Sequence, residues 1–132
     1  MTVGIVAVSH SRALADAAVE LASQMVQEKP PAIEVAAGTE DGGLGTDATA
    51  VLTAIESADS GDGVVVITDL GSAILSTDMA LELLDSPENI RVVPAPFVEG
   101  MVAAVLAAAT GASLDAVAQQ ASTALDAKSS QL

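Results

Sequence analysis

One histidine stands in this chain of 132 residues, His10, in the triplet Ser9-His10-Ser11 directly after an apolar run. Imidazole is the side chain best suited to accept a proton or carry a group near neutral pH. A second residue draws notice with it. Asp69 follows the run Val64-Val65-Val66-Ile67-Thr68 and opens the stretch Asp69-Leu70-Gly71-Ser72. A carboxylate that takes a hydrogen bond from one ring nitrogen fixes the tautomer and leaves a lone pair on the other. That free nitrogen serves as a nucleophile or as a general base, and the two residues alone leave both open.

The neighbours favour an anion. Ser11 begins a predicted helix, whose first N–H groups have no intrahelical partner. Gly71 permits close backbone approach and Ser72 adds a hydroxyl, again at a helix start. Arg12 is one of only four cations and lies two residues from His10. Ser11, Arg12, Gly71 and Ser72 therefore compose a candidate cradle for a phosphoryl group. A hydrolase built on His10 as base lacks a convincing nucleophile, and Ser9 and Ser72 read better as cradle or cap. Each part also has a plain structural use: a lone histidine as a satisfied core group, a carboxylate as a helix cap, a Gly-rich loop as a turn. The carboxylates Asp41, Asp47, Asp62 and Asp78 read as loops, caps or solvated faces, without metal-ligand spacing.

Composition removes much else. The chain has no Cys, Trp or Tyr, and 4 Lys+Arg stand against 18 Asp+Glu, a formal charge of −14. Disulfides, zinc–thiolate sites and thiol nucleophiles are excluded. One His cannot make a multi-histidine metal site. Nonspecific nucleic-acid binding needs the Lys and Arg that are missing, and stacking needs the absent aromatics. The apolar share of 51% argues for a packed core. Met1 to Val6 lacks a basic leader, and the longest apolar run, Met101 to Ala109, is far short of the ~20 residues a membrane span needs. A soluble, cytoplasmic protein is expected, with no membrane partner.

The elements that must position these residues alternate. Val3–Val8 reads as a buried strand. Helical spacing from Ala13 to Val26 places Leu14, Ala17, Ala18, Leu21, Ala22 and Met25 on one face, and Pro30-Pro31 stops it. Ile33–Ala37 is a second strand, followed by an exposed Gly-rich loop over Gly38–Asp47. Thr46 or Asp47 caps the next helix, whose apolar face is Val51, Leu52, Ile55 and Ala58. Val64–Ile67 is the strongest strand signal and reads as central. A helix carrying Ile74, Leu75, Met79, Leu83 and Leu84 follows, broken at Ser86-Pro87-Glu88-Asn89. Ile90–Val93 is a fourth strand. Phe97–Ala109 is an Ala-rich helix, apolar or small on every side, which points to deep burial or a subunit interface. Ser113 caps a last helix through Leu125. Residues 1–127 read as one domain and 128–132 as a polar, frayed tail. The order predicts a doubly wound α/β fold with a mainly parallel sheet. Ligands of such folds sit beyond the carboxyl ends of strands at the switch point, where His10 and Asp69 would meet.

Four segments then resemble one family. They are Val6-Ala7-Val8-Ser9-His10-Ser11; Ala37-Gly38-Thr39-Glu40-Asp41 with Gly45-Thr46-Asp47; Asp69-Leu70-Gly71-Ser72-Ala73-Ile74-Leu75-Ser76; and Ala95-Pro96-Phe97-Val98-Glu99-Gly100. Their order and content are similar to the phosphotransferase subunits of phosphoenolpyruvate-dependent dihydroxyacetone kinases, which have the mannose-type EIIA fold. The resemblance covers about Val3 to Ala127. It implies four parallel strands plus an antiparallel edge strand, commonly in a homodimer. It implies that His10 takes a phosphoryl group from phospho-HPr and passes it to ADP on the nucleotide-binding kinase subunit. Asp69 then orients the imidazole, and Gly71 and Ser72 match the phosphate-cradling turn. No metal or cofactor is expected on this chain, since ADP and Mg²⁺ belong to the partner. Some members carry HPr-like and enzyme I-like domains downstream; none stands in these 132 residues, so separate carriers are expected to supply phosphate. The alternative is the EIIA component of a mannose-type sugar transporter. A receiver domain shares the winding but needs acids after the first strand, where Ser9-His10-Ser11 stands.

Overall fold

In a computed structural model, which describes residues 2–84 and 87–132, four strands and six α-helices alternate. They run β1 (Gly4–Ser9), α1 (Arg12–Ser23), β2 (Ile33–Ala37), α2 (Ala48–Ala58), β3 (Val64–Thr68), α3 (Gly71–Glu82), β4 (Ile90–Val93), α4 (Phe97–Ala109), α5 (Leu114–Ser122) and α6 (Ala124–Gln131), with a short 3-10 turn at Pro87–Asn89. The sheet order is β2-β1-β3-β4, and all three pairings are parallel. Of the expected breaker Ser86-Pro87-Glu88-Asn89, Ser86 lies outside the described residues, as does Met1 of the expected leaderless start.

Strand side chains point alternately to the two faces. Ile5, Ala7, Val65, Ile67 and Val93 join a core with α1, α4 and α5. Val6, Val8, Val64, Val66 and Ile90 join a second core with α2 and α3. Every residue of β1 and β3 is buried, as expected of central strands covered on both sides. The approach is close: a Cβ on Gly4 would lie 2.2 Å from the Ala58 carbonyl oxygen, so only glycine fits there.

The chain leaves β1 for β2 in one direction, then returns past β1 to β3. That reversal puts α1 on one face and α2 and α3 on the other, as right-handed crossovers require. It also makes the carboxyl ends of β1 and β3, paired from Gly4↔Val64 to Val8↔Thr68, the switch point of the sheet, where ligands of such folds bind.

Three expectations change. The antiparallel edge strand is absent among the described residues. After β4 the chain is helical in α4, α5 and α6, because Leu114–Gln131 is rich in Ala, Gln, Ser and Asp and holds a single β-branched apolar residue, Val117. The tail expected to fray continues as α6 to Gln131, and Lys128 reaches Glu99 Oε2 at 2.9 Å. In α1 Ala18 and Ala22 face the sheet as expected and Ala15 joins them, whereas Leu14, Ala17 and Leu21, and Met25 just past the helix, are exposed. Likewise α3 buries Ala73, Thr77 and Ala80 and turns Ile74, Leu75 and Met79 outward, with Leu70 and Leu83 exposed at its two ends. Small side chains let both helices lie close to the sheet, and the larger ones are displaced to the flanks. For α4 the expectation holds on one face: Gly100, Met101, Ala104, Val105 and Ala108 are buried, whereas Val98 and Leu106 are exposed.

Candidate functional site

β1 ends at Ser9, so His10 emerges at the sheet edge between two neighbouring strands. β3 ends at Thr68, and the amide of Asp69 donates to the Val8 carbonyl at 3.1 Å. This backbone bond holds the two loops side by side. The Asp69 side chain then turns onto His10. His10 Nδ1 lies 3.1 Å from Asp69 Oδ1, with the imidazole side chain 26% exposed and the carboxylate 7%.

The carboxylate has no idle oxygen. Oδ1 accepts from the Leu70 N–H at 2.6 Å and from Nδ1. Oδ2 accepts from the His10 N–H at 3.0 Å and from the Ser9 hydroxyl at 2.9 Å. Burial alone would push the Asp69 carboxyl up. The hydrogen bonds from the His10 amide and ring, the Ser9 hydroxyl and the Leu70 amide outweigh it and hold the group below the ordinary carboxylate value. Asp69 is therefore an anion that only accepts, so Nδ1 carries a proton, and in the neutral imidazole the lone pair is on Nε2.

Nε2 faces the start of α3, where it meets the Ser72 hydroxyl. No side chain caps α3, in contrast to α1, α2 and α5, which are capped by Ser11, Asp47 and Ser113. The amides of Gly71 and Ser72, at the start of α3 beside Nε2, thus have no side-chain cap, and a helix N-terminus of this kind suits an anion. Around Gly71 the direction a Cβ would take is open space.

The structure thus gathers His10, Asp69, Gly71 and Ser72 at the carboxyl ends of β1 and β3. Ser11 is adjacent, and its hydroxyl accepts from the Leu14 amide at 3.2 Å as the cap of α1. Arg12 does not join them. Its guanidinium turns along α1 to Asp16 Oδ1 at 3.4 Å and lines a groove beside β2.

Two features escape sequence reasoning. Ser9 is fully buried and binds both Asp69 and the Ser11 amide. The Gly-rich loop is also part of the site. The Gly45 amide donates to the His10 carbonyl at 2.9 Å, and Thr46 Oγ1 reaches Ser76 Oγ at 2.7 Å and the Ser72 carbonyl at 3.3 Å. The loop therefore ties the backbone of the histidine to the first turns of α3. Gly45 has φ +137°, and a Cβ there would also crowd Thr39, so the turn needs glycine. The available signal was four glycines in the ten residues after a strand that neighbours β1.

Residues 4–118 match the model of the EIIA-man family, described as the fructose IIA component of the phosphotransferase system. The chain is 47% identical to the phosphoryl donor subunit DhaM of a dihydroxyacetone kinase from Escherichia coli strain K12, over 98% of this chain and 28% of that protein. It is 42% identical to the DhaM of Providencia stuartii, with the same two coverages. The chain thus spans little more than a quarter of the length of these relatives. A second-kinase DhaM of Listeria innocua is 35% identical over 89% of this chain and 95% of its own length. Among solved structures, a protein of unknown function, EF1359, superposes with a TM-score of 0.81 at 32% identity, covering 93% of this chain and 95% of its own. A sigma-54 interaction domain protein from Enterococcus faecalis shares the fold, with a TM-score of 0.72 at 17% identity, covering 98% of this chain and 95% of its own.

Proposed function

This chain belongs to the EIIA-man family, with DhaM subunits among its relatives, and from that premise we propose that it is a phosphoryl carrier of dihydroxyacetone kinase. The observation that carries the reading is the Asp69–His10 contact at Nδ1, which leaves the Nε2 lone pair facing an uncapped helix start. In the first step the Nε2 lone pair attacks the phosphorus of phospho-HPr. The N–P bond forms as the donor's bond to phosphorus breaks, and that electron pair leaves with the donor. In the second step a terminal oxygen of ADP, held on the nucleotide-binding subunit, attacks the same phosphorus. The electron pair of the N–P bond then returns to Nε2, and the proton stays on Nδ1 throughout, hydrogen-bonded to Asp69.

Asp69 stabilises the positive charge that develops on the ring during each transfer. The α3 amides and the Ser72 hydroxyl receive the phosphoryl oxygens once the hydroxyl rotates off Nε2. Holding phosphate with neutral donors keeps the bond labile, which a carrier needs and a tight Lys/Arg clamp would oppose. The partners in this reading are phospho-HPr, the ADP-binding kinase subunit and a second copy of this chain, all in the cytoplasm. ADP and Mg²⁺ sit on the kinase subunit, and this chain brings no metal or cofactor.

The fructose IIA description of the matched family supports a second reading, a sugar-transporter EIIA component. The chemistry at His10 is the same and the acceptor differs. The test offers the phosphorylated chain both acceptors. Transfer to the ADP-loaded kinase subunit, yielding ATP, is expected; transfer only to a sugar-transporter subunit would establish the second reading.

A further inference from the structure

Ser9 closes β1 and is fully buried, yet it is polar and lies against the carboxylate. Its oxygen accepts from the Ser11 amide at 3.0 Å. Its single hydrogen has two acceptors in reach, Asp69 Oδ2 at 2.9 Å and the Ser11 carbonyl at 3.1 Å. The carboxylate is the nearer and, being ionised, the stronger acceptor. A carboxylate gripped at one oxygen can swing about its Cβ–Cγ bond. Asp69 is gripped at both, and Ser9 supplies the one side-chain donor on Oδ2. With Oδ2 fixed, Oδ1 stays in line with Nδ1, and the lone pair stays on Nε2.

We propose that Ser9 is a positioning residue for phosphoryl transfer: its buried hydroxyl locks the Asp69 carboxylate and, through it, the reactive tautomer of His10. The inference deepens the carrier reading and rests on it for the word transfer. The tautomer itself belongs to the free protein and can be read without any phosphoryl donor. Two serines flank the histidine, and only one has this role. The Ser11 hydroxyl caps α1, whereas the Ser9 hydroxyl holds the carboxylate.

The test compares wild type, Ser9→Ala, Ser9→Thr, Asp69→Ala and the Ser9→Ala/Asp69→Ala double variant. Nitrogen-15 NMR of the imidazole in the unphosphorylated chain reads the tautomer. Stopped reactions with phospho-HPr read the transfer rate. Wild type is expected to hold the proton on Nδ1. Ser9→Ala is expected to admix the Nε2–H tautomer and slow transfer about tenfold, and Ser9→Thr, which keeps the hydroxyl, to restore both. In the Asp69→Ala background, removing Ser9 as well is expected to change the rate less than about twofold, since a residue acting through Asp69 has nothing left to act on. A Ser9→Ala chain with a lower melting temperature but an unchanged tautomer would make Ser9 merely structural and overturn the proposal. So would a full, independent loss in the Asp69→Ala background. A chain that takes no phosphate at all but shows the tautomer shift would sink the carrier reading and leave the link between Ser9 and the tautomer standing.

Discussion

At the scale of single residues, the site depends on Asp69 accepting from four donors with two oxygens. Asparagine has the same shape but only one acceptor oxygen. Whichever way its amide is turned, the NH₂ group meets two donors. Asp69→Asn should therefore leave buried groups unsatisfied, at a cost of about 1–3 kcal/mol in a denaturant melt. It should slow phosphoryl transfer about tenfold or more, because about 1.4 kcal/mol of lost transition-state stabilisation is a factor of ten. The pH dependence has a definite sign. The native pKa of Asp69 lies below its unfolded value of about 3.9, so ionisation favours the fold. That stabilisation is fully present above the unfolded value and is lost as pH falls through the lower native one. Melts of wild type and Asp69→Asn should accordingly converge in acid and diverge toward neutral pH; parallel curves would contradict the assignment.

At the scale of elements, His10 and Asp69 were legible because each follows a run of β-branched and small apolar residues that could only be a strand. Their meeting followed from the adjacency of β1 and β3 in a doubly wound sheet. The face of α1 was legible only at Ala18 and Ala22, and that of α3 was not legible. A spacing of three and four marks Leu14, Leu21, Ile74 and Leu75 as readily as Ala15, Ala22, Ala73 and Ala80, and hydropathy favours the larger residues. The sheet instead selects the small ones, which permit close approach. The consequence is an apolar flank on α3 that starts at Leu70, beside the residue that touches Nε2. Any protein that brings phosphorus to Nε2 must also cover the first turns of that helix. Leu75 is 66% exposed, so Leu75→Ser should shift stability by no more than about 0.5 kcal/mol. In titrations with phospho-HPr it should raise the concentration needed for half-maximal rate and leave the saturating rate unchanged. A lowered saturating rate with normal half-saturation would place Leu75 in the chemistry rather than in docking.

At the scale of the whole molecule, the charge of −14 argues against nonspecific nucleic-acid binding and bears on what can dock. On the carrier reading, docking brings a phosphorylated protein to an acidic one, so the partner's contact surface should carry compensating basic groups or be apolar. Raising ionic strength from about 0.01 M to 0.15 M shortens the Debye length from about 30 Å to 8 Å. Association with phospho-HPr should slow several-fold over that range if basic groups steer it, and a flat rate would contradict steering. Arg12 shows why charge was easier to count than to place. It is two residues from His10 in the sequence, but a helix start directs successive side chains to different sides, and Asp16 one turn on offers it a partner. The missing edge strand has a similar cause: helix-forming composition after Ser113 decided the local structure against the expectation carried by resemblance.

The central claim is that Nε2 of His10, and not Nδ1, carries the phosphoryl group. It is tested by incubating the chain with phosphoenolpyruvate, enzyme I and HPr and locating the label by phosphorus and nitrogen-15 NMR. One acid-labile phosphate on Nε2 is predicted, with none on His10→Ala. Phosphate on Nδ1, or label that persists in His10→Ala, would contradict the account.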